Sequence, residues 1–159
     1  MLAGTAYYLY VQQVGEATGK SAAHAYKKVI NDPCDHILGE LFEKDGKYDK
    51  AAAIYRKGIE VCHEQDAVLG LQVGLGRVLL KAGQEEEAKR IFNEVLVTVP
   101  DNAQAHLGLS FCYLRVNQKN KAVDELKRFV VLASSDDPDR KRAEDMLARL
   151  TAEPANLPP

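Results

Sequence analysis

Apolar residues recur along the chain at helical spacing, and one arrangement of them occurs three times. In each copy a turn residue is followed five positions later by alanine and four positions after that by a large apolar residue. The three copies are GKYDKAAAIY (46–55), GQEEEAKRIF (83–92) and NQKNKAVDEL (117–126). Apolar residues three to four apart, interrupted by glycine or asparagine, predict helices joined by tight turns.

The alanines of the three copies are Ala51, Ala88 and Ala122, so the repeat steps are 37 and 34 residues. Thirteen positions before each alanine is a leucine followed by a small residue. These pairs are Leu38 with Gly39, Leu75 with Gly76, and Leu109 with Ser110. We therefore predict two antiparallel helices per unit, with small side chains where they cross and positive φ at the turn. One such hairpin cannot bury its own apolar face, so the units must stack.

This pattern resembles the tetratricopeptide repeat family, whose 34-residue unit carries W-x2-L-G-x2-Y, A-x3-F and P positions in order. The resemblance implies an all-α fold, a right-handed solenoid of helical hairpins. The units are placed at residues 32–65, 69–102 and 103–136. The chain departs from the family at the tryptophan position, which holds Asp35, Gln72 and His106.

The first two repeats are separated by three residues beyond the 34-residue repeat length, which are Asp66, Ala67 and Val68. They amount to almost one helical turn, at about 3.6 residues per turn. We expect them to lengthen a helix beside the first inter-repeat loop, with a longer loop as the alternative.

The segments outside the repeats have simpler predictions. Residues 1–31 are interpreted as N-terminal helices, either a cap or a degenerate repeat. Residues 137–152 predict a capping helix, with Asp137 as its N-cap, Pro138 at its first position and Arg142 facing water. Residues 153–159 are expected to be a loose tail.

Composition narrows the range of functions. A net charge of −2 argues against nucleic-acid binding, and the absence of 18 consecutive apolar residues argues against membrane insertion. The cysteines Cys34, Cys62 and Cys112 lie far apart and favour neither a zinc site nor a disulfide framework. Three reduced thiols would fit a cytoplasmic location.

The sequence contains no arrangement that predicts catalysis. It has no HExxH, GxSxG or P-loop motif, and the glycines of GLQVGLG (70–76) lack a following Lys-Ser/Thr and a preceding strand. We therefore predict no enzyme, no catalytic residue, no metal site and no cofactor.

The resemblance implies instead a concave groove lined by the first helix of each unit. The first unit contributes Ile37, Glu40 and Lys44. The second contributes Val73, Gly74, Arg77, Leu80 and Lys81. The third contributes Gln104, Leu107, Gly108, Phe111, Leu114 and Arg115.

The composition of this lining suggests the type of partner. Family members that grip a C-terminal carboxylate use asparagine at the position held here by Ile37, Gly74 and Gly108, so that clamp is missing. The glycines are expected to let a ligand approach, while apolar and basic side chains suit an amphipathic helix or an extended apolar segment with acidic residues. Whether the N-terminal helices themselves fill the groove stays open.

The predicted function is a non-enzymatic module that binds a peptide or helix of another protein, as an adaptor, assembly factor or chaperone. One alternative is a homo-oligomeric scaffold, in which the N-terminal helix docks into the groove of a neighbouring copy. Another is a regulatory fragment of a larger enzyme.

Overall fold

The structure, a computed structural model, describes residues 36–152. These residues form seven α-helices and no β-strand, so the predicted all-α class is confirmed. The helices are α1 (Ile37–Lys44), α2 (Tyr48–Val61), α3 (Gln65–Lys81), α4 (Glu85–Thr98), α5 (Ala103–Arg115), α6 (Lys119–Leu132) and α7 (Arg140–Thr151). The predicted N-terminal helices at 1–31 and the tail at 153–159 lie outside the described residues.

The chain divides into two compact units, residues 1–71 and 72–159, with the boundary inside α3. The described part of the first unit contains α1, α2 and the start of α3. In the second unit, α5 packs against α4 and α6, and α6 packs against α7. No helix within residues 36–152 is long and apolar enough to cross a lipid bilayer.

The three turns inside the hairpins have the same geometry. Their central residues adopt positive φ, as predicted: 71° at Gly46, 79° at Gly83 and 58° at Asn117. At the second turn the Gln84 N–H donates to the Leu79 carbonyl oxygen at 2.9 Å, and the Gly83 N–H donates to that of Leu80 at 3.2 Å. Equivalent pairs close the other two turns. This is the Schellman motif, which satisfies the last carbonyls of the first helix and reverses the chain.

The helix crossings are packed as the small residues predict. All three repeat alanines are fully buried. In the first repeat the ring of Tyr55 occupies the position that a Cβ on Gly39 would take. In the second unit a Cβ on Gly76 would lie 2.7 Å from the Phe92 ring. A side chain at either glycine would have to displace an aromatic ring.

The three residues beyond the repeat length lie within a helix. α3 has 17 residues and contains Asp66, Ala67 and Val68, while the loop before it comprises only residues 62–64. The insertion therefore lengthens α3, and the alternative of a longer loop is wrong.

The start of the last helix differs from the sequence prediction. α7 begins at Arg140 with Asp139 as its N-cap, so the expected N-cap at Asp137 and helical Pro138 are wrong. The Asp137 carboxylate accepts a hydrogen bond from the Asp139 N–H at 2.8 Å, and its carbonyl oxygen accepts from the Arg140 N–H at 3.1 Å. Aspartate readily forms such a turn with the backbone two residues on, which delays the helix.

The cysteines differ in chemical state. Cys112 is a free thiol with 1% exposure. Cys62 is disulfide-bonded, so the expectation of three reduced thiols is wrong. Spacing along the chain could not show this, because folding decides which distant cysteines meet.

Two glycine substitutions in one helix test the crossing. Gly76→Ala places a methyl group against Phe92, and overpacking of this kind costs about 1–3 kcal/mol. Gly70→Ala meets no atom within 4 Å, so it gains roughly 0.5–1 kcal/mol of helix stability. Thermal unfolding should show a lower Tm for the first variant and a higher Tm for the second. Equal shifts in the same direction would contradict the packing described.

Cys112 makes stability depend on pH. Burial raises the pKa of its thiol from 9.0 to about 11, so the unfolded chain loses this proton at a lower pH than the folded chain. The stabilisation of wild type relative to Cys112→Ala is present below pH 9. It should fall by roughly 1 kcal/mol per pH unit as the pH rises toward 11. Urea unfolding of both proteins from pH 8 to 10.5 measures this; parallel curves would show that the thiol does not titrate in this way.

Candidate functional site

The second compact unit contains a cavity of about 520 Å³. Its walls come from α3, α5 and α7, and Phe92 reaches it from α4. The apolar lining residues are Val73, Leu80, Phe92, Leu107, Phe111 and Leu114. The charged ones are four bases and one acid: Arg77, Lys81, Arg115, Arg142 and Asp139. The cavity thus combines an apolar surface with an excess of positive charge.

The start of α5, the central wall, is held by three polar contacts. The Asn102 side-chain oxygen accepts from the Ala105 N–H at 2.9 Å and caps the helix. The buried His106 ring lies 2.6 Å from a Glu125 carboxylate oxygen through Nδ1 and 3.0 Å from the Pro100 carbonyl oxygen through Nε2. His106 therefore ties α5 to the preceding loop and to α6, which fixes the cavity wall on both sides.

Most of the residues predicted from the resemblance lie around this one cavity. The ones that line it are Val73, Arg77, Leu80, Lys81, Gln104, Leu107, Gly108, Phe111, Leu114 and Arg115. Gly74 is buried and does not line it. Glu40 and Lys44 belong to α1 in the first compact unit, as does Ile37, whose side chain is outside the described part.

Gly108, which lines the cavity, has a packing role that the sequence did not indicate. A Cβ on Gly108 would overlap the ring of Phe92, so this position is already occupied by the protein's own side chain. Gly74 does not border the cavity. Gly108 is therefore required by packing, and the approach of a ligand at these glycines stays a prediction.

Three lining residues were missed by the sequence reasoning: Phe92, Asp139 and Arg142. The sequence predicts Phe92 only as the large apolar residue of its repeat and Arg142 only as a residue facing water. A signal was present for the last helix, because Asp139, Arg142 and Met146 follow one another at helical spacing beside the buried Ala143. One face of α7 therefore borders both the core and the cavity.

The basic side chains that line the cavity differ in their surroundings. Arg115 donates to the Glu85 carboxylate at 3.1 Å, in an exposed ion pair. Within residues 36–152 Arg142 forms no hydrogen bond or ion pair with an acidic side chain, although Asp139 is one turn away. In the same range no three His, Cys, Asp or Glu side chains are grouped so that they could hold a metal ion. The lining offers apolar contact and attraction for negative charge.

Segments similar to this chain occur in larger proteins. The chain is 28% identical to the anaphase-promoting complex subunit CDC16 of Saccharomyces cerevisiae over 113 residues, which are 68% of this chain and 14% of that protein. It is 26% identical to the protein O-mannosyl-transferase TMTC2 of Homo sapiens over 99 residues, 62% of this chain and 12% of that protein. The chain spans 10% to 14% of the lengths of the curated relatives it matches.

Solved structures with the same fold include two bacterial proteins. PcrH from Pseudomonas aeruginosa matches with a TM-score of 0.66 and 21% identity, over 74% of this chain and 89% of that one. The type III secretion chaperone SycD of Yersinia enterocolitica, in complex with a peptide of the translocator YopD, matches with a TM-score of 0.62 and 18% identity, over 72% of this chain and 88% of that one.

Family models agree with the helix packing. Two models, each described as tetratricopeptide repeat, match residues 36–62 and residues 79–150. Together they cover more than half of the chain, including the three positive-φ turns and the buried alanines. The chain belongs to the tetratricopeptide repeat family.

Proposed function

We propose that the chain is a protein-interaction module whose second compact unit binds a segment of a partner protein in the cavity lined by α3, α5 and α7. The segment is an amphipathic helix or an extended apolar stretch that carries acidic residues. The module acts as an adaptor, assembly factor or chaperone. The observation that carries this proposal is the lining: apolar side chains surrounded by four bases and one acid, in a chain of net charge −2.

The apolar part of the lining accounts for the affinity. Phe111 is only partly buried, although it lies beside the fully packed α5–α6 core. A partner side chain that covers Phe111, Leu114 and Val73 would remove apolar surface from water, at roughly 25 cal/mol per Å². A helix in a groove and an extended peptide both present alternate apolar side chains in this way.

The charged part accounts for the choice of partner. Arg77 and Lys81 are one turn apart on α3, and Arg115 lies on α5. Positive charge along the rim attracts acidic segments and repels basic ones, mainly through the rate of association. Salt should weaken this attraction, because exposed charges are screened over about 8–10 Å at physiological ionic strength.

Two structural neighbours support a peptide as the ligand. PcrH has been solved in complex with the chaperone binding region of PopD, with a TM-score of 0.65 and 18% identity to this chain. SycD was solved with a peptide of YopD. At this identity the likeness extends to the fold, and the fold is one that holds peptide segments.

A second candidate is that these repeats serve a larger protein. The chain covers 12% of the human TMTC2 protein O-mannosyl-transferase and 14% of yeast CDC16. In that case the cavity would recruit a substrate or a subunit for activity located elsewhere in the protein. The length of the complete reading frame distinguishes the two, since a protein of only these 159 residues leaves no room for a catalytic domain.

Selection from a random 16-residue peptide library displayed on phage tests the binding proposal. Wild type should enrich peptides that combine large apolar residues with Asp or Glu. Phe111→Ala and Arg77→Glu should each retain this enriched pool about tenfold less well, because one loses apolar contact and the other reverses a rim charge. Circular dichroism of each variant checks that helix content is unchanged.

Val131→Ala and Arg128→Glu are the matched controls. Both residues are exposed on α6 and neither lines the cavity. They should retain the enriched pool as wild type does. If the groove variants and the controls behave alike, or if the enriched peptides are basic, the binding surface lies elsewhere.

A further inference from the structure

The last helix continues the register of the repeats. Arg142 follows Gly108 by 34 residues, one repeat length, so it occupies the position in α7 that Gly108 occupies in α5. Ala143, the next residue, stands where Leu109 stands in α5, and both are buried. α7 is therefore equivalent to the first helix of a further unit, and its Arg142 side chain faces the same groove.

The size of the preceding large residue explains why arginine fits there. Phe92, from the second repeat, fills the space over Gly108 in the third repeat and leaves no room for a side chain at position 108. In the third unit the equivalent of Phe92 is the smaller Leu126, which lies with Arg142, Leu107 and Phe111 around a small adjoining space of about 10 Å³. The exchange of phenylalanine for leucine leaves room for the arginine beside the apolar surface.

Arg142 is carried by a helix that is firmly packed. Ala143 is 2% exposed and belongs to a buried cluster with Leu107, Leu126 and Phe129. The Gln104 side-chain amide also donates to the Asp137 carboxylate at 3.1 Å, which links α5 to the turn before α7. Core packing at Ala143 thus fixes the helix that carries Arg142, while Arg142 itself is exposed.

The charge of Arg142 is not matched within the described residues. Its neighbour Arg140 donates to Glu144 at 3.2 Å and to the Ala133 carbonyl oxygen at 2.7 Å, but Arg142 forms no such bond in that part of the chain. Arginine presents a planar fork of donors that suits a carboxylate, and its aliphatic stem packs on apolar surface. A partner carboxylate next to an apolar side chain complements this arrangement.

We propose that α7 forms part of the binding site, where Arg142 binds an acidic side chain of the partner adjacent to the apolar residue that contacts Leu107 and Phe111. Arg142 is thereby a specificity-determining residue, and α7 is more than a cover for the end of the array. This assignment rests on the proposed function, because it concerns the ligand of the same cavity.

Parallel selections from the same random peptide library test the assignment. The library is panned on wild type, Arg142→Glu and Lys141→Glu, and the pool enriched on wild type is then measured for retention on all three. Lys141 is the matched control, since it is exposed on the same helix and does not line the cavity. Arg142→Glu should retain that pool about three- to tenfold less well and should itself enrich peptides with Lys or Arg. Lys141→Glu should match wild type.

Equal retention on Arg142→Glu and wild type, together with loss on Phe111→Ala, would overturn the role of Arg142 and leave the proposed function standing. No enriched pool on wild type would overturn both. Arg142→Gln, which removes the charge without reversing it, is measured alongside, with thermal unfolding of each variant. If the Glu variant does not fold, weaker retention on a folded Gln variant supports the assignment, and unchanged retention contradicts it.

Discussion

The packing of the second compact unit depends on the contacts of one side chain, the ring of Phe92. It comes from α4 and fills the space over Gly76 in α3 and over Gly108 in α5, with 1% of its surface exposed. One side chain therefore sets how closely a helix hairpin closes and how closely the next first helix approaches. The same ring borders the cavity, so a residue of the core forms part of the cavity wall. Close packing of this kind leaves little freedom for volume changes at either glycine.

Positive charge gathers around a cavity whose interior is apolar because the two properties come from different parts of the repeat. The apolar lining residues, such as Leu107 and Leu80, point between the helices and are largely buried. The bases stand near the ends of α3 and α5 and at the start of α7, where long side chains can reach water. Lysine and arginine can cover apolar surface with their stems while keeping the charge solvated. The cavity can thus expose some apolar side chains without leaving a large bare apolar patch.

Much of this fold can be predicted from the sequence because the same local pattern occurs in three repeats, and each copy supports the interpretation of the others. Small residues, turn residues and the spacing of Ala51, Ala88 and Ala122 all depend on contacts within one hairpin, so they recur with it. The contribution of α7 to the cavity and the role of Gly108 could not be predicted in the same way, because both arise between successive units. The start of α7 was also misplaced, since the side chain of Asp137 can either cap a helix or close a turn, and the local sequence permits both.

The pairing of large and small residues restricts how such a chain can be rearranged. Phe92 requires glycine at 108 in the following unit, whereas Leu126 is followed by arginine at the equivalent position in α7. Ser110 and Leu126 likewise replace the glycine and aromatic residue that occur together in the other two units. A duplication or exchange that joins α4 directly to α7 would place the Phe92 ring against Arg142, and one that pairs α5 with α4 in a hairpin would place it against Ser110. A rearrangement that moves Phe92 therefore keeps this packing only when α4 stays between two helices that carry glycine at these positions, as α3 and α5 do.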